Sequence, residues 1–164
     1  MLGQYQPGRI LDVEDAPQFG IDERVQRRRV VLFSDGELDE GSVWEAIMSA
    51  AHWKLDNLIG IIDVNNQQAD GPSTQVMAFE PLVDKLEAFG WYVQRVDGND
   101  IDAVRSAFDA ARDHAEPKPR MIVCDTRMCR GVPFLEAREK NHFIRVDEHE
   151  WQMALEALAA GRKA

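Results

Sequence analysis

Residues 30–66 read VVLFSDGELDEGSVWEAIMSAAHWKLDNLIGIIDVNN, and this stretch decides the fold. Two apolar runs of β type, at 30–33 and 58–62, flank a helical pattern over 42–53. A strand, a helix and a second strand in this order form a right-handed crossover, in which the two strands lie parallel. The turns that follow both strands therefore meet at the carboxyl edge of the sheet, where open α/β sheets bind ligands.

The two turns at this edge carry residues that suit a divalent cation and a phosphate. Asp35 and Gly36 follow the first strand, and Asn65 and Asn66 follow the second. A carboxylate and an amide oxygen are hard ligands that suit Mg²⁺ or Ca²⁺. Gly36 allows the backbone to approach a phosphate closely, and a helix that begins nearby favours an anion. An Asn-rich turn alone needs no metal, so the ion site is predicted from the pairing of Asn65 with Asp35.

The remainder of the chain continues the alternation of strands and helices. Further strands are predicted at 91–96 and 121–124, and further helices at 81–89, 100–114 and 147–158. This order predicts a mainly parallel sheet covered by helices on both faces, a three-layer αβα fold of the α/β class. Among the apolar positions predicted to face inward are Ile101 in the helix at 100–114 and, in the last helix, Trp151, Leu155 and Leu158.

Length, charge and cysteine content restrict the class of protein. A chain of 164 residues fits one domain, and a net charge of −10 without a basic tract argues against nucleic acid. No run approaches transmembrane length, and the N-terminus lacks the apolar core of a signal peptide. Cys124 and Cys129 form no disulfide framework, which favours a reducing cytoplasm. Their spacing could be half a metal site, but the chain has no second cysteine pair to complete it.

The stretch resembles the transketolase group of thiamine-diphosphate enzymes. The resemblance is carried by Asp35-Gly36 with the later Asn65-Asn66, by Trp44-Glu45-Ala46, and by the Gln-x-Asp-Gly-Pro run that begins at Gln68. It extends from about Val30 to the region of His142. It implies the diphosphate-binding (PP-module) domain of these enzymes, incomplete at the N-terminus, where transketolases carry a further segment with cofactor- and substrate-contacting histidines.

The resemblance also implies a set of site residues. The predicted cofactor contacts are Ser34, Asp35, Gly36, Glu37, Asn65 and Gln67. Within this set Asp35, Asn65 and the backbone carbonyl of Gln67 would bind Mg²⁺ or Ca²⁺. Glu40 falls at a subunit-interface position near the cofactor. His142 falls where the family carries a catalytic histidine, although Asn141 and Phe143 replace the tryptophan and glycine usual beside it.

Three of these residues also have purely structural interpretations. Ser34 stands where most of these enzymes carry glycine, and it would either hydrogen-bond a phosphate or simply end the strand. Glu40 suits the start of a helix, where an acidic side chain stabilises the helix dipole. His142 would otherwise be an exposed loop histidine.

The resemblance implies a transferase that is active only as part of a multi-chain assembly. The expected reaction moves a two-carbon ketol unit between sugars, with thiamine diphosphate and Mg²⁺ (or Ca²⁺) as cofactors and sugar phosphates as substrates. No second α/β module follows, so a partner subunit is expected to carry the pyrimidine-binding and C-terminal domains. The expected state is a cytoplasmic hetero-oligomer.

We also expect the chain to divide into two segments, and two other functions stay open. Residues 30–164 are expected to form the cofactor-binding domain, and residues 1–29 an arm or linker: a docking arm, a disordered tail or the scar of a truncation. One alternative function is another thiamine-diphosphate reaction, such as 2-oxo acid decarboxylation or carboligation. The other is a non-catalytic scaffold or regulatory paralogue.

Overall fold

The structure, a computed structural model, describes residues 28–161 and contains a four-stranded parallel sheet in the order β1-β2-β4-β3. The strands are β1 (Arg29–Ser34), β2 (Leu58–Val64), β3 (Tyr92–Asp97) and β4 (Arg120–Asp125). A 3-10 turn, Asp35–Asp39, follows β1. The helices are α1 (Gly41–His52), α2 (Ser73–Val76), α3 (Leu82–Ala88), α4 (Ile101–Asp113), α5 (Pro133–Glu136) and α6 (Glu148–Gly161). The predicted α/β class and parallel sheet are confirmed.

The pairing of the strands aligns the turns that were predicted to meet. β1 pairs in parallel with β2, with Ser34 opposite Asp63. β2 pairs in parallel with β4, with Val64 opposite Asp125. Because the paired strands end level with one another, the chain leaves β1, β2 and β4 at the same edge of the sheet.

Helices cover both faces of the sheet. On one face α1 and α3 bury Ile47 and Leu86, which belong to the same apolar cluster as Ile62 of β2. On the other face α4 buries Ala107 and Ala111 in a cluster with residues of β2 and β4. The three-layer αβα arrangement is therefore as predicted, with its core on both sides of the two central strands.

The prediction is wrong for one position of α4 and for the inward face of α6, whereas Val104, Ala107, Phe108 and Ala111 of α4 face the core as predicted. Ile101 is 82% exposed, because it is the first residue of α4 and the buried positions of that helix begin further along. In α6 the buried residue is Ala154, which belongs to a local cluster with Val132 and Leu135 rather than to the sheet core. The larger apolar side chains of that helix are exposed: Trp151, Leu155 and Leu158.

Two further expectations concern the ends of the chain and membranes. The predicted arm at residues 1–29 lies almost entirely outside the described residues, so the division into arm and domain stays a prediction. Within residues 28–161, no helix is both long and apolar enough to cross a membrane.

The chain after β3 passes close to the end of β4 at Gly98. A Cβ atom at Gly98 would lie 2.5 Å from Cγ2 of Thr126 and 2.8 Å from Cβ of Cys124. Overpacking of this kind costs about 1–3 kcal/mol, so Gly98→Ala is expected to lower the free energy of unfolding in urea by that amount. Gly41→Ala is the matched control, because a Cβ at the start of α1 meets nothing within 4 Å. Equal stability of the two variants would contradict the close approach.

Candidate cofactor site

The carboxylate of Asp35 lies at the carboxyl edge of the sheet, directly after the outer strand β1, and is 1% exposed. It begins the 3-10 turn directly after β1. Its Oδ2 accepts hydrogen bonds from the backbone N–H of Asn66 at 2.8 Å and from Oγ of Ser73 at 2.9 Å. Asp35 therefore joins the ends of β1 and β2 to the start of α2.

The electrostatic environment of Asp35 fits a bound cation. Burial raises the pKa of this carboxyl, and the hydrogen bonds from Ser73 and Asn66 oppose that rise. No lysine, arginine or histidine within residues 28–161 forms an ion pair with it. A buried carboxylate without a cationic partner destabilises the fold when it is ionised, and a divalent ion would remove that cost.

The turn at residues 65–67, here called the 65–67 turn, lies beside Asp35 as the sequence predicts. Oδ1 of Asn65 accepts a hydrogen bond from the backbone N–H of Gln67 at 2.9 Å, and its Nδ2 donates to Oδ2 of Asp63 at 3.1 Å. Asn66 has a φ of 56°, a left-handed conformation that asparagine tolerates better than most residues. This conformation reverses the chain after β2 and aims the N–H of Asn66 at Asp35.

The oxygen atoms of this turn are the ones available to an ion. Within residues 28–161 there is no group of three or more His, Cys, Asp or Glu side chains that could hold a metal. The ligand set predicted from the resemblance is of mixed type, the carboxylate of Asp35, the side-chain oxygen of Asn65 and the carbonyl of Gln67, and it stays a prediction. Three oxygen ligands leave further positions for phosphate and water, which is how Mg²⁺ is commonly bound. The residues present thus fit a Mg²⁺–diphosphate group.

Ser34 and Glu37 bind each other. The backbone N–H and Oγ of Ser34 donate to Oε2 of Glu37 at 2.7 and 3.1 Å, which forms a capping box at the start of the 3-10 turn. This gives Ser34 a structural role at the strand end. The cofactor contacts predicted for both residues stay predictions.

Gln68 lies close to Gly36, although the sequence does not predict it. A Cβ atom on Gly36 would lie 3.7 Å from Cδ of Gln68, and the backbone of Gln68 is held by paired hydrogen bonds with Gly71. Its Nε2 is buried and has no hydrogen-bond partner among the described residues. A buried amide donor of this kind suits an anionic ligand. In the sequence Gln68 is only the first residue of a loop motif, which says nothing of where its side chain lies.

The two predicted catalytic residues lie at the surface. His142 is exposed, and its ring contacts Phe143 edge-on with 4.8 Å between ring centroids. The preceding residue, Asn141, donates its backbone N–H to Oε1 of Gln67 at 3.4 Å, so the His142 segment lies beside the 65–67 turn. Glu40 is exposed immediately before α1, and its side chain makes no capping hydrogen bond there.

Comparison with known proteins identifies relatives that share this stretch. The family model "Transketolase, thiamine diphosphate binding domain" matches residues 15–161. A transketolase family protein of Sinorhizobium fredii is 68% identical over 130 residues, which cover 79% of this chain and 47% of that protein. The 6-deoxy-6-sulfo-D-fructose transketolase subunit SqwG of a Clostridium species is 40% identical, with 77% of this chain and 46% of that protein covered. A subunit of the apulose-4-phosphate transketolase of Actinobacillus succinogenes is 39% identical, with 81% and 48% covered.

Solved structures share the fold. The transketolase of Campylobacter jejuni superposes with a TM-score of 0.74 at 30% identity, and the match covers 82% of this chain and 21% of that one. This chain spans about half the length of the curated relatives it matches. Sequence, family model and fold agree, and the chain therefore belongs to the transketolase family and carries its thiamine diphosphate-binding domain.

Proposed function

We propose that this chain is the diphosphate- and Mg²⁺-binding subunit of a transketolase that works with a partner chain. The partner carries the pyrimidine-binding and C-terminal domains, and the assembled enzyme moves a two-carbon ketol unit between sugar phosphates. The observation that carries the proposal is the buried carboxylate of Asp35, joined to the 65–67 turn and without a cationic partner in residues 28–161. Support for a multi-chain enzyme comes from two relatives that are named as transketolase subunits.

Residues at the carboxyl edge of the sheet bind different parts of the cofactor. Asp35, Asn65 and the carbonyl of Gln67 hold the ion, and Gly36 lets a phosphate approach the backbone. The ion offsets diphosphate charge that a chain of net charge −10 would otherwise repel. Thiamine diphosphate, when bound, supplies the electron sink that amino-acid side chains lack.

Glu40 and His142 act on groups that come from outside this chain. Both side chains are exposed, and His142 lies in the segment that contacts the 65–67 turn. Glu40 binds across the subunit interface, where a partner carboxyl or the cofactor would meet it. His142 exchanges a proton with the substrate as a general acid or base.

Calorimetric titration with thiamine diphosphate and Mg²⁺ tests the cofactor assignment. The wild-type chain is expected to bind, alone or mixed with its partner. Asp35→Ala and Asn65→Ala are each expected to weaken binding by more than the roughly 10–100-fold that outer-shell substitutions cost, because they remove ligands of the ion. Asp84→Ala, an exposed carboxylate on α3, is the control.

Two results of this titration would contradict the proposal. Unchanged binding by Asp35→Ala would place the cofactor elsewhere. No binding by the wild-type chain in either sample would favour the scaffold function instead.

The burial of Asp35, without a cationic partner in residues 28–161, predicts a specific pH dependence of stability. Burial raises the pKa of Asp35 in the folded chain above its value in the unfolded chain. The free energy of unfolding that depends on Asp35 therefore falls as the pH rises from the unfolded pKa through the folded pKa. Asp35→Asn keeps a hydrogen-bond acceptor and removes the charge. The variant is therefore expected to unfold at a higher temperature than the wild type at neutral pH without cations, by about 2–4 °C for each kcal/mol.

The same comparison of the wild type with Asp35→Asn, repeated in mild acid and with added ligand, supplies the control. The difference in midpoint is expected to shrink in mild acid, where the wild-type carboxyl is protonated. Added Mg²⁺ with thiamine diphosphate should raise the midpoint of the wild type only. A wild type more stable than Asp35→Asn at neutral pH without cations would show that the buried charge is already neutralised.

The rate of two-carbon transfer by the assembled enzyme tests the role of His142. His142→Gln is expected to lower the rate of two-carbon transfer by about 10²–10⁴-fold, the usual contribution of a general acid or base, and to leave cofactor affinity unchanged. His149→Gln is the matched control, because His149 is an exposed histidine near the start of α6. Equal rates for the two variants would show that His142 is an ordinary loop residue.

A further inference from the structure

The side chain of Gln67 connects two segments that are far apart in the sequence. Its Nε2 donates to the carbonyl of Glu139 at 3.1 Å, and its Oε1 accepts from the N–H of Asn141 at 3.4 Å. One amide group therefore both donates to and accepts from the backbone of residues 139–141. This two-point contact fixes the position of that backbone relative to the 65–67 turn.

Asn141 anchors the same segment from its other side. It is 7% exposed, and its Nδ2 donates to the carbonyl of Leu135 at 2.7 Å. Leu135 belongs to the local apolar cluster with Val132 and Ala154. Residues 139–141 are thus held between a packed cluster and the amide of Gln67.

The backbone of Gln67 belongs to the candidate ion site. Its N–H donates to Oδ1 of Asn65, and the preceding residue, Asn66, donates its N–H to Asp35. The backbone of Gln67 therefore faces the cofactor edge, while its side chain holds residues 139–141. A ligand that moves or tightens the 65–67 turn must also act on the segment that this side chain holds.

His142 comes directly after the held segment. Phe143, the next residue, has a φ of 57° and is 88% exposed. A bulky residue in the left-handed region is strained and persists only where neighbouring contacts determine the backbone. The contacts of Asn141 with Gln67 and Leu135 are the ones that determine the chain immediately before it.

We infer that Gln67 is a positioning residue, whose side chain transmits occupancy of the 65–67 turn to the orientation of His142. The inference rests on the proposed function for the identity of the ligand, Mg²⁺ with thiamine diphosphate. It concerns the side-chain amide of Gln67 and is separate from the role of its carbonyl as a ligand. Cofactor binding and placement of His142 are then a single coupled event.

The test follows the imidazole signals of the 164-residue chain by NMR, with the His142 signal assigned from its absence in His142→Gln. In the wild type, thiamine diphosphate with Mg²⁺ is expected to shift the His142 signal. Gln67→Met keeps the length of the side chain and the backbone carbonyl but removes both hydrogen bonds. It is expected to bind with at most about a tenfold loss of affinity, the lower end of outer-shell effects, and to lose the shift of His142.

Two further variants separate coupling from general damage. Gln75→Met makes the same change at an exposed position of α2 and is expected to behave as the wild type. Gln67→Glu keeps an oxygen that can accept from the N–H of Asn141, so it is expected to restore part of the shift. In the ligand-free chain, the amide of Asn141 should exchange with solvent roughly fivefold faster in Gln67→Met, as expected for the loss of one hydrogen bond.

The outcomes distinguish this inference from the proposed function. An equal shift of His142 in the wild type and in Gln67→Met, with both binding, overturns the inference and leaves the proposed function in place. No binding by the wild type overturns both. If Gln67→Met fails to fold, Gln67→Glu decides: a shift smaller than that of the wild type, or lost, supports the coupling, and a shift equal to that of the wild type overturns it.

Discussion

The arrangement of the sheet edge depends on the burial of one carboxylate. Asp35 is inaccessible to solvent, so its oxygens must be met by protein donors or by an ion. The protein supplies donors from Asn66 and Ser73, which lie 31 and 38 residues away in the sequence. These two bonds determine where the chain can run after β2 and where α2 can begin. Hydrogen bonds within the loops, such as those of Gln67 and of Gln68 with Gly71, add to these two bonds.

A parallel sheet is what makes these long-range bonds possible. Because β1 and β2 are adjacent, parallel and aligned from Arg29 opposite Leu58 to Ser34 opposite Asp63, both turns leave at one level. β4 ends at the same edge, and the chain after it returns to the 65–67 turn through Gln67. The candidate site thus consists of three loops from three strands, each held by hydrogen bonds to another.

The sequence predicts the framework of this site but not its side-chain contacts. Apolar periodicity and the crossover rule suffice to predict Asp35 near the 65–67 turn, because they predict that the first two strands run parallel and end at the same edge. Periodicity also indicates which residues share a face, but not whether anything covers it, which is why Ile101 and the apolar face of α6 are exposed. The contacts of Gln67 and Gln68 depend on tertiary placement of whole loops, and local sequence carries no signal for them.

The buried carboxylate of Asp35, without a cationic partner in residues 28–161, also bears on whether the chain binds a ligand or serves as a scaffold. A scaffold gains nothing from an ionised carboxylate in a buried position, since the charge destabilises the folded chain until a cation arrives. Replacement by an uncharged residue would relieve that cost, and sites that lower stability are kept where function requires them. Glu40 and His142, by contrast, are exposed, as expected of groups whose partners belong to another molecule. The burial of Asp35 together with the exposure of Glu40 and His142 is therefore easier to explain for a ligand-binding subunit than for a scaffold.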